Sequence, residues 1–137
     1  MADIRRVTED FAVAPQIAPE DMDGLAAQGF RLVINNRPDG EAPDQPTSTA
    51  MAAAAARAGL DYLHIPVAGM AQRGQIEAMV ESLKGAGGPA LAFCRSGTRS
   101  ITAWALGEAL TGGRSPEEWA RLARAAGYDL GPVLGVG

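Results

Sequence analysis

Ala90-Leu91-Ala92-Phe93-Cys94-Arg95-Ser96-Gly97-Thr98-Arg99-Ser100 runs an apolar strand into a glycine-containing loop and from there straight into a helix. Cys94 is the only cysteine of the chain, and it stands where a buried strand ends. Arg99 follows after four intervening residues, a spacing that closes a tight loop. Backbone N–H groups of such a loop converge on one point, the following helix adds the positive end of its dipole, and Arg99 can return its guanidinium fork to the same place. Negative charge is favoured at that focus, and the thiolate is the reactive form of cysteine. Cys94 and Arg99 are therefore the candidate catalytic pair, with Arg95, Ser96, Gly97, Thr98 and Ser100 as candidate anion-binding positions. The bland alternative is a cysteine packed as a small hydrophobe. Two arginines, a glycine and three hydroxyls around the thiol argue against it.

Upstream, Phe30 to Ile34 is a β-rich run continuous enough for an interior strand, and the turn-rich polar segment Asn35 to Glu41 follows it. Loops at the carboxyl ends of parallel strands are where α/β domains place ligands, so Asn36, Arg37 and Asp39 are candidate flanking residues. Tyr62 to Val67 reads as a third strand, with His64 as a structural, hydrogen-bonded residue because no partner for a general base can be named. Phe11 to Ala14, ended by Pro15, reads as an edge strand. Helices are expected from Pro19, from Ala50 to Ala58 with Thr47 and Ser48 as caps, and along the face Ile76, Met79, Val80 and Leu83. The helix after Arg99, carrying Ile101, Trp104, Ala105, Leu106 and Ala109, is apolar around much of its circumference and should be the buried central one. Ser115-Pro116-Glu117-Glu118 has capping-box spacing and opens a last helix with Trp119, Leu122, Ala123 and Ala126 on one face. The glycine-rich tail after Gly127 is expected to be loosely ordered.

Strands alternate with helices, which predicts a single α/β domain over 1–137, with its core at about 11–126 and a central, mainly parallel sheet of four to five strands. The 137 residues, 47% of them hydrophobic, suffice for one core. A net charge of −4 and 5% aromatic residues oppose a nucleic-acid partner, which needs a basic face and stacking platforms. The expected partner is a small anionic or sulfane-sulfur substrate. No metal or other cofactor is expected, since the only histidine is His64 and no Cys/His cluster has ligand spacing. A free reactive thiol suits a reducing cytoplasm, and neither a signal peptide nor a membrane span is read in the chain. Oligomeric state is not legible.

Two families place a cysteine, a short loop and an arginine at a helix N-terminus: the rhodaneses and the protein tyrosine or dual-specificity phosphatases. The Cys94-to-Arg99 loop resembles the rhodanese version, with four residues between cysteine and arginine where phosphatases usually place five. The order of the strands and helices around it resembles a small dual-specificity phosphatase. That mixture, with Asn35-Asn36-Arg37-Pro38-Asp39-Gly40-Glu41 matched residue by residue, is similar to the beta-lactamase-hydrolase-like phosphatase-like domain family, also described as a candidate sulfurtransferase. The resemblance covers roughly Phe11 to Leu110. It implies a tyrosine-phosphatase-like fold with Cys94 as nucleophile and Arg99 as anion clamp.

Two enzymatic expectations follow. Phosphomonoester hydrolysis through a phosphocysteine needs an acid for the leaving oxygen. Phosphatases of this type supply an aspartate just after the strand that Tyr62 to Val67 matches. Ala68 to Gln75 contains no Asp or Glu, which leaves Asp39 as the substitute. Sulfur transfer through a Cys94 persulfide needs no such acid and is the favoured expectation, with the phosphatase as the alternative. A binding module that senses an anion or a sulfane sulfur without turnover is the reading of a different class.

Overall fold

The computed structural model describes residues 2–135. Five strands, β1 (Arg5–Arg6), β2 (Phe11–Ala14), β3 (Leu32–Asn35), β4 (Asp61–His64) and β5 (Ala90–Phe93), form one sheet in the order β1-β2-β5-β3-β4. Only β1 is antiparallel. Among the described residues six α-helices accompany it, α1 (Met22–Ala27), α2 (Ser48–Arg57), α3 (Arg73–Gly85), α4 (Thr98–Thr111), α5 (Pro116–Ala125) and α6 (Gly131–Leu134), with a 3-10 turn at Pro19–Asp21 leading into α1.

Every residue of β2, β3 and β5 is buried, as expected for strands covered on both faces. Period-2 alternation divides their side chains between two apolar layers. Phe11, Val13, Leu32, Ile34, Ala90 and Ala92 face α3, α4 and α5. Ala12, Ala14, Val33, Leu91 and Phe93 face α1 and α2, where Met22, Leu25, Met51, Ala54 and Ala55 meet them. The chain is thus a helix–sheet–helix sandwich around a mostly parallel sheet.

The central helix is α4, packed against α3 and leading directly out of the thiol loop. Its apolar positions Ile101, Ala103, Trp104 and Ala105 are buried, and Trp104 stacks on Phe11 with ring centroids 5.4 Å apart. Gly107 lets α3 close in: a Cβ there would lie 2.9 Å from Val80 Cγ2. The capping box of α5 forms as its spacing predicts, Ser115 Oγ accepting from the Glu118 N–H and Glu118 Oε1 from the Ser115 N–H.

Three expectations are corrected. Phe11–Ala14 is an interior strand, because β1 pairs with its outer side, Arg5 opposite Val13 and Arg6 opposite Ala12; Pro15 lies just past the ladder, where its missing N–H is not needed. The strand expected at Tyr62 to Val67 is the edge strand β4, ending at His64, since Pro66 cannot donate to the ladder; the Ile65 and Val67 amides still bond the Asn35 and Asn36 carbonyls. The tail after Gly127 is not loose over its described residues. Tyr128 and Leu130 are 8% and 1% exposed inside the same core as β2 and α4, and α6 follows them.

Candidate active site

Four segments meet at the carboxyl end of the sheet, each continuing from a parallel strand. They are Pro15–Gln16 after β2, Asn35 to Glu41 after β3, Ile65 to Val67 after β4, and the thiol loop after β5. Backbone bonds lock them together: the Gln16 N–H donates to the Arg95 carbonyl (3.2 Å), and the Asn36 N–H to the Phe93 carbonyl (2.8 Å).

Cys94 is fully buried at the floor of its loop. Its sulfur turns into the loop rather than into the core, for the Gly97 N–H donates to Sγ at 3.1 Å. That amide can aim inward because Gly97 adopts φ = +94°, a left-handed conformation at the N-cap of α4 that side chains resist. Glycine is required twice over here, since a Cβ would fall 2.1 Å from the Tyr128 hydroxyl. Ser96 Oγ accepts from the Thr98 N–H (3.4 Å) and bonds Thr98 Oγ1 (3.1 Å), so these two hydroxyls stiffen the loop. The Ser100 hydroxyl is wholly buried without a protein partner among the described residues, which leaves a hydrogen-bonding group uncommitted one position past Arg99. Arg95 is exposed and contributes its carbonyl to the Gln16 bond.

Arg99 does not hang free over the loop. Its Nη1 and Nη2 donate to Glu41 Oε2 and Oε1 at 2.8 and 2.9 Å, a fork-to-fork pair, and Nη1 also reaches the Val67 carbonyl at 2.7 Å. Glu41 Oε1 accepts a further bond from Arg37 Nε at 3.0 Å. Arg37, itself buried, is braced by Gln16 Oε1 at 3.0 Å and by Asn35, whose Oδ1 accepts from the Arg37 N–H. One carboxylate thus bridges two guanidinium groups at the rim of the thiol loop. The Arg99 hydrogen bond, assisted by Arg37, holds the Glu41 carboxyl at about 2, against burial that opposes it. Glu41 in turn raises Arg99, with the Cys94 sulfur adding to that effect.

A carboxyl lowered from its ordinary 4.5 to about 2 stabilises the fold fully above 4.5 and loses that contribution as pH falls through about 2. Melting temperatures of wild type and Glu41→Gln are therefore expected to differ most near neutrality and to converge toward pH 2. A difference independent of pH would mean that the bridge does not form in solution.

The other flanking residues do different work. Asp39 is exposed, and its Oδ1 accepts from the Ser48 N–H at 2.8 Å, satisfying a first-turn amide of α2. Asn36 is buried beneath the loop, its Nδ2 donating to the Ile65 carbonyl and contacting Met79 Sδ, with Oδ1 unpartnered among the described residues. His64 bonds the Arg37 carbonyl at 2.8 Å, the structural role expected of it. Glu41 and Gln16 escaped the sequence reading. A charge that must neutralise a buried arginine four residues away was the available signal for Glu41.

A cavity of about 440 Å³ opens at the opposite end of the sheet between α3 and α4, over Phe11, Met79 and Trp104, and is distinct from this site. Among the described residues no group of three or more His, Cys, Asp or Glu is disposed to hold a metal, and no helix is long and apolar enough to cross a membrane.

A lone thiol turned toward a loop amide at the head of a buried helix, on a sheet of this order, defines the cysteine-phosphatase-like class of α/β domain. Residues 3–111 match the family described as beta-lactamase hydrolase-like protein, phosphatase-like domain, and the chain belongs to that family. It is 40% identical over 126 residues to the beta-lactamase hydrolase-like protein of Agrobacterium fabrum, covering 91% of this chain and 29% of that one. The chain thus spans about 30% of the length of the curated relatives it matches. The crystal structure of a candidate phosphatase from Neisseria meningitidis is similar at a TM-score of 0.85 and 30% identity, over 96% of this chain and 94% of that one. P. aeruginosa TpbA, solved in complex with pTyr, shares the fold at a TM-score of 0.67 and 14% identity, over 93% of this chain and 76% of that one.

Proposed function

We propose that this domain is a cysteine-dependent sulfurtransferase. The observation that carries the reading is the commitment of both flanking carboxylates: Glu41 is held ionised between two arginines, and Asp39 bonds the Ser48 N–H. Glu41, held ionised, carries no proton for an alkoxide leaving group, and Asp39 Oδ1 is engaged at the head of α2. Sulfur transfer needs no such proton. The Cys94 thiolate attacks the outer sulfur of thiosulfate, the S–S bond breaks, and sulfite departs with the electron pair, leaving a persulfide anion on Cys94. An acceptor thiolate then takes that outer sulfur and restores the Cys94 thiolate. The Gly97 amide and the α4 N-terminus are suited to the negative charge at each stage. The four-residue spacing between Cys94 and Arg99 supports the same reading.

The comparisons, taken by themselves, favour phosphate-ester hydrolysis instead, since the family and the Neisseria meningitidis structure carry phosphatase names and TpbA was solved with pTyr. In that second reading Cys94 attacks phosphorus, and aryl phosphates with good leaving groups are the substrates that need no acid. A paired assay separates the two: thiosulfate or glutathione persulfide with a thiol or cyanide acceptor in one arm, aryl and alkyl phosphates in the other. Sulfur transfer is expected, with at most slow aryl-phosphate hydrolysis. Asp39→Asn keeps an acceptor for the Ser48 N–H and is expected to change turnover less than about twofold. Efficient alkyl-phosphate turnover that collapses in Asp39→Asn would overturn the proposal and make Asp39 the general acid. Tight sulfate binding with neither activity would identify a sensor.

A further inference from the structure

The Ser96–Gly97 peptide is held from both sides. Its N–H, on Gly97, donates to the Cys94 sulfur at 3.1 Å, and its C=O, on Ser96, accepts from the Tyr128 hydroxyl at 2.8 Å. We propose that Tyr128, in the segment between α5 and α6, is a positioning residue for the nucleophile, acting on the Cys94 sulfur through this single peptide unit. A hydrogen bond to a peptide carbonyl polarises the peptide and strengthens the donation of its N–H. It also fixes the plane of a peptide that glycine would otherwise leave free to turn. The phenol packs directly against Gly97, where even a methyl group would overlap it.

The rest of the segment is built to keep the phenol there. Arg5 lies over the Tyr128 ring, 5.1 Å from its centroid, and Arg5 is paired with Asp3 at 2.9 Å. Tyr128 is buried in the main core, and its N–H bonds the Ala123 carbonyl at 2.8 Å. Burial raises the phenol from its ordinary value, Arg5 opposing and the Cys94 charge adding, so the O–H stays a donor at neutral pH. The family match ends at residue 111, so the assignment comes from the contact itself. It holds whichever electrophile Cys94 attacks.

The test is the rate of Cys94 alkylation by iodoacetamide as a function of pH in Tyr128→Phe, which keeps the ring and removes the hydroxyl. The charged groups around the sulfur and the phenol, Arg99, Glu41, Arg5 and Asp3, are untouched in this variant. Its pH midpoint is expected to rise, and the rate below the midpoint to fall about threefold to tenfold, the value of one hydrogen bond. The kcat for whichever substrate is turned over should fall in step, with KM unchanged. Incorporating 3-fluorotyrosine at position 128 alone makes the same contact with a stronger donor and is expected to shift the midpoint the opposite way. An unchanged alkylation profile with a lower melting temperature would reduce Tyr128 to a packing residue and overturn the proposal. Should Tyr128→Phe fail to fold, the fluorotyrosine protein decides alone: no shift, or an upward one, overturns it.

Discussion

Cys94→Ser protein incubated with thiosulfate or glutathione persulfide is expected to gain no mass, whereas the wild type gains one sulfur on the peptide carrying Cys94, and turnover is expected to fall more than roughly 10³-fold. The size of the effect follows from the absence of a substitute. Cys94 is the only thiol of the chain, and a serine hydroxyl in its place has no neighbouring base to deprotonate it, His64 being tied to the Arg37 carbonyl. The fold should survive, because the loop is held by the Gln16, Asn36 and Tyr128 bonds, none of which involves the sulfur. Loss of turnover without any mass gain in the wild type would remove the persulfide from the mechanism while keeping the nucleophile. Undiminished turnover in Cys94→Ser would remove both.

The second large effect is at Arg99, where Arg99→Ala is expected to lower kcat/KM by roughly 10²- to 10³-fold, the usual cost of one preorganised charge donor. Arg99→Lys should recover little. A single ammonium cannot make the two parallel bonds to Glu41 and the third to the Val67 carbonyl that set the guanidinium plane. Removing Arg99 also leaves Glu41 with Arg37 alone, so its carboxyl is expected to move back toward the ordinary range. Titrating Glu41 by NMR in both proteins gives a readout independent of turnover. An unmoved Glu41 would show that Arg37 alone governs it, and full activity in Arg99→Ala would show that the loop amides hold the substrate unaided.

Much of the fold was legible because its strands carry continuous apolar runs with β-branched and aromatic residues, and its helices carry caps and 3.6-residue stripes. The thiol loop was legible for a different reason, as a cluster of chemically costly residues in one short stretch. What escaped was of two kinds. β1 is two arginines long, with no period to detect, and its absence from the sequence reading pushed β2 to the sheet edge. The other kind is long-range pairing. Asp39 and Glu41 are two residues apart in one polar loop, and nothing local says that the first turns to Ser48 while the second turns 58 residues onward to Arg99. Tyr128 was lost among glycines for the same reason: its partner, Ser96, lies 32 residues back.

The packing of α5 against α4 bears on how such a domain can be inherited. Trp119 sits in the same apolar layer as Trp104, its indole N–H bonds Glu108 on α4 at 2.9 Å, and Leu130 closes the layer beyond it. A recombination breakpoint just after Thr111 would keep every residue of the family match and every residue of the thiol loop. It would also strip the outer face of α4 and release that loop's carbonyl side. The apolar layer that holds the thiol loop therefore runs past the matched residues, through α5 as far as Leu130.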